Sequence, residues 1–160
     1  MNTQSEIIEK KTDDLHMLFV VNKQKYALPA KYVIEIIEMQ PITEVPFINT
    51  YMKGIINLRS TIIPVMDARL RFGIEAIGYN ERTCIIILEH DMKKIGLIVD
   101  AVNEVINISS DERMKMNSSK KELRDNFIKG ISRVNDEIQL ILDCESLLKI
   151  VEDVNYEINE

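Results

Sequence analysis

The chain has 160 residues, of which 46% are hydrophobic and 29% are charged, and its formal net charge is −6. This length allows one ordinary domain or two small fused ones, with enough apolar side chains for a buried core. The negative charge argues against general binding to nucleic acid or to anionic membranes. No apolar run approaches the roughly 20 residues of a membrane-spanning helix, and the first residues lack the apolar core of a signal peptide.

The ends of the chain and its cysteines predict no special chemistry. Residues 1–14 and 152–160 are predicted to form tails, of which the first is disordered. Cys84 and Cys144 lie in apolar surroundings without the spacing of a metal site. We therefore expect two reduced packing cysteines in a cytosolic protein.

Short β-strands joined by tight turns dominate the rest of the chain. Apolar and β-branched runs predict strands at 15–22, 25–28, 55–58, 61–65, 83–88, 94–99, 128–134 and 137–142. Two-residue spacing predicts hairpin turns at residues 59–60 and 135–136, and further turns are predicted at 23–24 and 91–92.

The predicted helices are short. Asp67 is a candidate N-cap for a helix that ends near Gly73, and Asp143 is the candidate N-cap of a second helix. Residues 29–32 predict a single helical turn. Short strands that close into a small barrel leave no exposed sheet edges, so the sequence favours small barrels.

Residues 51–73 have an imperfect second copy at 127–149. The first 17 aligned pairs include five identities, which are Lys53/Lys129, Gly54/Gly130, Ile55/Ile131, Ile62/Ile138 and Asp67/Asp143. The repeat extends upstream, where residues 26–37 align with 95–106, and a polar insertion is expected within 109–126. The duplication predicts two barrels in pseudo-twofold relation that share an apolar seam. Positions shared by the copies are expected to serve the fold, and unshared ones are free to serve function.

Catalytic and metal-binding motifs are absent from the sequence. The chain contains no glycine-rich phosphate loop, HExxH, CxxC or GxSxG. His16 and His90 are its histidines, and we expect both at the surface or at a strand edge. The sequence therefore predicts no enzyme, no cofactor and no metal site.

Arg59 occurs in the first copy only and is a candidate functional residue. It lies at a predicted hairpin tip beside Ser60, and its counterpart is Asn135. A guanidinium group can hold a carboxylate through two hydrogen bonds, and the shared Glu35 is a candidate partner. Glu104, the counterpart of Glu35, has no arginine opposite it. A solvated turn arginine is the alternative interpretation.

The apolar residues Val33, Ile36 and Ile37 also leave two interpretations open. Core packing is favoured because Val33 and Ile37 recur as Val102 and Ile106 in the second copy. The alternative is that some of them line a groove between the barrels.

Several segments resemble the CheW family, the scaffold proteins of bacterial chemotaxis. The most specific are KG at 53–54, NLR at 57–59, IPVMD at 63–67 and GLIVDAVNEVINI at 96–108, and the resemblance covers about residues 15–151. It implies an all-β fold with short helices, built as two five-stranded SH3-like β-barrels in pseudo-twofold relation. The barrels are expected at roughly 15–80 and 81–151, with strand exchange possible. Ser60 stands where the family usually has glycine.

The resemblance implies a non-catalytic adaptor in a two-component system. Such proteins couple the cytoplasmic tips of methyl-accepting chemoreceptors to the regulatory domain of the histidine kinase CheA. The chain is then expected to be cytoplasmic and associated with membrane receptor arrays through its partners. The receptor-facing positions fall on Val33, Glu35, Ile36, Arg59 and Ile85, with Glu35 and Arg59 paired. Kinase contacts are expected in the segment 39–53, at Met39, Val45 and Lys53.

Two other classes of protein are alternatives to an adaptor. A docking module of a CheV-like protein would need a receiver domain, and a CheA-regulatory-domain-like protein would need flanking kinase segments. We expect neither in a chain that ends at Glu160. A double barrel that binds oligonucleotides or metabolites would need basic and aromatic faces, which the negative charge and aromatic content of 6% do not favour.

Overall fold

The computed structural model describes residues 14–46, 50–115 and 127–148. The predicted tails, apart from Asp14, lie outside these residues, as does the part of the second predicted helix that follows Leu148. The described chain forms the strands β1 (Leu15–Val21), β2 (Gln24–Pro29), β3 (Val33–Glu38), β4 (Met52–Leu58), β5 (Thr61–Asp67), β6 (Cys84–His90), β7 (Lys93–Val99), β8 (Ala101–Asn107), β9 (Arg113–Lys115), β10 (Ile128–Val134) and β11 (Glu137–Leu142), and the helices α1 (Ala68–Arg71) and α2 (Cys144–Leu148). Single 3-10 turns occupy Ala30–Tyr32 and Ser110–Glu112.

All eight predicted strands are present, and three further strands were not predicted. β3 and β8 were not predicted because apolar residues occupy exposed as well as half-buried positions in both, so apolar and polar residues do not alternate along the sequence. β9 has only three residues and lies at a sheet edge. A strand this short carries too little periodicity for recognition.

Four two-residue turns connect the hairpins. In each turn both residues have positive φ, with values of 49° and 68° at Arg59 and Ser60 and similar values at 22–23, 91–92 and 135–136. This is the geometry of a type I′ turn, whose twist matches that of the flanking strands. The turn predicted at 23–24 lies one residue earlier, at Asn22 and Lys23.

The strands form two sheets, each shaped as an SH3-like barrel, which confirms the predicted fold class. The first barrel has the strand order β3-β6-β7-β5-β4, and the second has β8-β1-β2-β11-β10-β9. Each barrel therefore combines strands from residues 15–80 with strands from residues 81–151. The second has six strands rather than the expected five, since β9 occupies the place where the first has an isolated bridge between Thr43 and Ile55.

The duplicated segments occupy equivalent positions. Gly54 in β4 and Gly130 in β10 each follow a register shift at the same point of their hairpins. The Asp67 carboxylate accepts a hydrogen bond from the Arg69 backbone nitrogen at 2.9 Å, which confirms it as the N-cap of α1. The Asp143 side chain accepts from Ser146 at the start of α2 in the same manner.

Buried apolar side chains form three clusters. The seam cluster joins the two barrels and includes Phe19, Tyr26, Leu28, Met66, Phe72, Leu88, Leu97, Phe127, Leu142 and Leu147. The first interior cluster fills the first barrel with Ile56, Ile63, Val65, Ile85, Ile87 and Ile98, and the second interior cluster contains Leu18, Ala27, Ile108 and Ile141. The seam thus holds more buried side chains than either barrel interior, which fixes the barrels against each other.

The side chain of His16 contradicts its prediction. It is 1% exposed rather than at the surface, and its Nδ1 lies 2.8 Å from the Asp14 carbonyl oxygen. Burial lowers the pKa of His16, and the nearby cations Arg113 and Lys129 lower it further. His90 lies half-buried at the end of β6, as expected for a strand edge.

Both cysteines are free, and Cys144 is buried in the seam cluster. Burial raises the pKa of the Cys144 thiol to about 12. The thiol therefore stays protonated near neutral pH and acts as a small apolar group, as predicted.

Candidate functional site

The turn between β4 and β5 carries a charged pair that links two separate strands. The Arg59 Nη2 atom contacts the Glu35 Oε1 atom, and the Arg59 side chain is 70% exposed. Glu35 lies in β3, and β3 and β4 are the two ends of the strand order of the first barrel. The Arg59/Glu35 pair therefore bridges the two edges of the sheet, and it confirms the partner predicted for Arg59.

A β-bulge sets the position of Glu35. Val33 pairs with Leu88 and Glu35 pairs with Ile87, so Ile34 is an extra residue in β3. A bulge of this kind turns the following side chains, and here Ile34 and Ile36 are 46% and 43% exposed on either side of Glu35. Two exposed apolar side chains thus flank Glu35 along β3.

Stability alone does not account for the Arg59/Glu35 pair. Exposed ion pairs contribute about 0–1 kcal/mol, because solvent screens the charges and two long side chains lose freedom. Ser60 adds strain, since its φ of 68° costs a serine on the order of 1 kcal/mol more than a glycine. The chain keeps the turn geometry without the glycine, so the strain is tolerated and Arg59 keeps its place.

Among the described residues, the second barrel has no pair equivalent to Arg59/Glu35. Glu104 in β8 corresponds to Glu35, but the turn between β10 and β11 carries Asn135 instead of an arginine. In this turn, the Asp136 carboxylate lies 3.8 Å from the Arg133 guanidinium group. The side chains of Arg133 and Asp136 are 70% and 97% exposed. The surface built around Arg59 therefore belongs to the first barrel.

The remaining receptor-facing residues differ in exposure. Val33 is half-buried against the seam cluster, and Ile36 is exposed. Ile85 is completely buried in the first interior cluster, at 0% exposure. Its expected place on the contact surface therefore needs correction, because the side chain can only support that surface from inside the barrel.

The residues expected to contact the kinase lie at both edges of the first sheet, because Met39 directly follows β3 and Lys53 lies in β4. Met39 packs half-buried against the first interior cluster, and Val45 and Lys53 are also half-buried. Backbone hydrogen bonds of 2.9 Å in both directions between Thr43 and Ile55 hold this segment against β4. Residues 47–49 of the segment lie outside the described part of the chain.

Three further apolar residues of the first barrel are exposed, and the sequence did not predict their exposure. They are Ile34, Ile62 and Met92, which are 46%, 56% and 93% exposed. Ile62 was counted as a fold-serving position because it recurs as Ile138, which is 55% exposed. The exposure of Met92 could have been predicted, because an apolar residue stands in a predicted turn there.

Two kinds of feature are absent from the described residues, a metal-ligand cluster and a membrane-spanning helix. Within residues 14–46, 50–115 and 127–148, no group of three or more His, Cys, Asp or Glu residues is placed to hold a metal ion. None of the helices in the described part of the chain has the length and hydrophobicity of a membrane span.

Comparisons with known proteins agree with this architecture. The Chemotaxis protein CheW of Bacillus subtilis is 31% identical over 140 residues, which cover 88% of this chain and 90% of that protein. The Chemotaxis protein CheW of Helicobacter pylori is 29% identical over 131 residues. The crystal structure of the scaffolding protein TtCheW from Thermoanaerobacter tengcongensis matches with a TM-score of 0.75 and 35% identity, over 81% of this chain and 88% of that chain.

A longer protein is also similar. The Chemotaxis protein CheV3 of Helicobacter pylori is 34% identical over 127 residues, which are 77% of this chain but 40% of CheV3. The family model of the CheW-like domain matches residues 15–152, which include nearly all of the described structure. The chain therefore belongs to the CheW-like family.

Proposed function

We propose that this chain is a non-catalytic adaptor that couples the cytoplasmic tips of methyl-accepting chemoreceptors to the histidine kinase CheA. Membership of the CheW-like family supports a role in chemotaxis signalling arrays. The observation that carries the residue-level proposal is the exposed Arg59/Glu35 pair, which has no counterpart among the described residues of the second barrel. An adaptor of this kind works in the cytoplasm and reaches the membrane through its partners.

The proposed receptor surface is formed by Glu35, Ile36 and Arg59, with Val33 partly exposed beside them. Apolar side chains next to a charged pair suit a helical hairpin, which can present an apolar stripe flanked by polar groups. Ile85 contributes from below, because its buried side chain packs under the strands that carry these residues. The ion pair costs little to rearrange, so Arg59 is available to a carboxylate of the partner.

The proposed kinase surface is formed by Met39, Val45 and Lys53 beside β4. The half-buried side chains of this segment combine apolar area with one cation, which suits the regulatory domain of CheA as partner. The segment contacts β4, whereas Glu35 and Ile36 lie on β3. The two proposed sets of residues do not overlap, and we propose that one contacts the receptor while the other contacts the kinase.

A docking module of a CheV-like protein, or one like the regulatory domain of CheA, is the alternative. The similarity to part of CheV3 supports the first of these. Incubation with phosphorylated CheA separates the CheV-like alternative from an adaptor, because a CheV-like protein accepts phosphate on a receiver domain. We expect no stable label on this chain, either from phosphorylated CheA or from labelled ATP alone.

Size-exclusion chromatography tests the proposal directly. The chain is mixed with a soluble cytoplasmic fragment of a chemoreceptor, with CheA, and with both. We expect co-elution with each partner and a larger ternary complex with both. Elution of the chain at its own position in all three mixtures would contradict the proposal.

A further inference from the structure

The turn between β6 and β7 carries an unusual residue for its conformation. The second positions of the four type I′ turns are Lys23, Ser60, Met92 and Asp136, and all have φ between 62° and 68°. Glycine, asparagine and aspartate favour this geometry, whereas a bulky apolar residue is disfavoured. Met92 is nevertheless 93% exposed, so its side chain gains no burial in return. Met92 therefore lowers stability through its disfavoured φ and through its solvent-exposed apolar side chain. A residue with both of these costs points to a role in binding.

Met92 lines a groove on the outside of the first barrel. The groove has a volume of about 490 Å³, and its walls include the apolar side chains of Ile62, Pro64 and Met92. Lys93, Lys94 and Glu89 also line it, so lysines outnumber acidic groups here although the whole chain is negative. The ion pair between Lys94 and Glu89 is long, at 3.9 Å, and lies at the surface.

The groove lies at the same end of the first barrel as Arg59. β5 and β7 are parallel neighbours, so their first residues lie at the same end of the barrel. The turn that precedes β5 carries Arg59, and the turn that precedes β7 carries Met92. Ile62 is the second residue of β5 and lies between the two turns along the surface.

The equivalent place on the second barrel has different chemistry. Lys23 stands at the turn position of Met92, and the Gln24 side chain donates a hydrogen bond to the Ile138 carbonyl oxygen at 3.2 Å. An ion pair between Lys25 and Glu137 also joins the two strands there. Polar contacts thus bridge β2 and β11, where the first barrel offers an apolar groove.

We propose that the Met92 turn and Ile62 form a docking site for an apolar side chain of the receptor's helical hairpin. The occupant carries an acidic group beside that side chain, because the groove presents more lysine than glutamate. Methionine suits such a site, since its flexible thioether adapts to different partners. The inference rests on the proposed receptor coupling and extends its surface from Arg59 across β5 to β7.

Matched variants of the two barrels test the inference. Met92→Asn and Ile62→Thr remove apolar surface, while asparagine still suits the turn and threonine still suits the strand. The counterparts in the second barrel are Lys23→Asn and Ile138→Thr. We expect Met92→Asn and Ile62→Thr each to raise the Kd for a soluble receptor cytoplasmic fragment by about tenfold, since an anchoring apolar side chain is lost. The two counterparts are expected to change the Kd by less than about twofold. Met92→Asn should melt at the wild-type temperature or above, because asparagine fits the turn better.

The outcomes separate this inference from the function on which it rests. A wild-type chain that fails to bind the receptor fragment would refute receptor coupling and the docking site with it. Wild-type binding that all four variants retain would overturn the docking site alone. Variants that keep receptor binding but lose CheA binding, or that only abolish self-association in sedimentation, would also overturn it, because another partner then occupies the groove.

Discussion

The interiors of the two barrels have equivalent backbones but different chemistry. The first interior contains isoleucine at positions 56, 63 and 85, each at most 2% exposed. The equivalent positions of the second are Ser132, Gln139 and His16, each at most 1% exposed. The Ser132 hydroxyl lies 2.8 Å from the Gln139 Oε1 atom, to which it donates a hydrogen bond.

Strand register establishes this equivalence. Ile56 pairs with Ile63 in the first barrel, as Ser132 pairs with Gln139 in the second. The comparison teaches that this small barrel does not need an entirely apolar interior, provided that each buried polar group keeps a partner. The first barrel, which carries the proposed partner surface, relies on apolar packing, whereas the second relies also on hydrogen bonds and on the protonation state of His16.

The largest difference between equivalent positions is expected at the two bulge glycines. The φ of Gly54 is +149°, and a Cβ atom added to it would lie 2.2 Å from the Thr43 carbonyl oxygen. On Gly130 the nearest atom, the Met114 carbonyl oxygen, would be 3.0 Å away. We expect Gly54→Ala to lower the free energy of unfolding by about 3 kcal/mol, and Gly130→Ala by about 1 kcal/mol.

Urea denaturation of the two glycine variants measures these losses. If both variants lose the same free energy of unfolding, the backbone at residue 43 does not lie closer to Gly54 than the backbone at residue 114 lies to Gly130 in solution. The segment expected to contact the kinase would then need a different placement.

A smaller loss is expected when the polar interior of the second barrel is broken. Ser132→Ala removes the donor to the buried Gln139 side chain, and an unsatisfied buried polar group costs about 2 kcal/mol. The double variant Ser132→Ala/Gln139→Leu should recover most of that loss, because neither polar partner remains. Ile56→Val in the first barrel is the control, with an expected cost of about 1 kcal/mol. A double variant less stable than Ser132→Ala would show that the hydrogen bond does not govern this interior.

The smallest effect is expected from pH, again in the second barrel. Burial lowers the pKa of His16 from its ordinary value of 6.5, with Arg113 and Lys129 acting in the same direction and Asp14 against it. The unfolded chain therefore takes up this proton first as the pH falls. The stabilisation is complete above about pH 6.5 and is lost as the pH falls through the lowered pKa of the folded state.

His16→Gln removes this titration. We expect the free energy of unfolding of the variant to vary less between pH 7 and pH 5 than that of the wild type, as measured by urea denaturation at each pH. The same slope in both proteins would show that His16 does not control the acid response.

The sequence predicted the hairpins, the equivalent segments and the charged pair because each leaves a local pattern. Strands 128–134 and 137–142 have the predicted bounds, since apolar and β-branched residues fill them and turn residues separate them. The duplication singled out Arg59, because the arginine occurs in one copy only, and made Glu35 a candidate partner; the resemblance to the CheW family implied that the two pair, as they do in the structure.

Other features depend on tertiary packing and left no such pattern. His16 lies in a strand that is buried on both faces, by the seam on one side and the barrel interior on the other, so alternation could not assign it. The shared Ile62 and Ile138 were expected to serve the fold, yet 56% and 55% of these side chains are exposed. Identity between copies alone does not distinguish a buried position from a surface position that both copies retain.

The claim that one barrel carries the receptor surface is tested most directly by Arg59→Ala and Asn135→Ala. Receptor-coupled activity of CheA and the melting temperature are measured for both variants. We expect Arg59→Ala to change the free energy of unfolding by within about 0.5 kcal/mol and to reduce coupling by about tenfold, since hydrogen bonds to charged groups contribute about 1.5–3 kcal/mol. Asn135→Ala is expected to leave coupling unchanged. Wild-type coupling in Arg59→Ala, or an equal loss in both variants, would contradict the account.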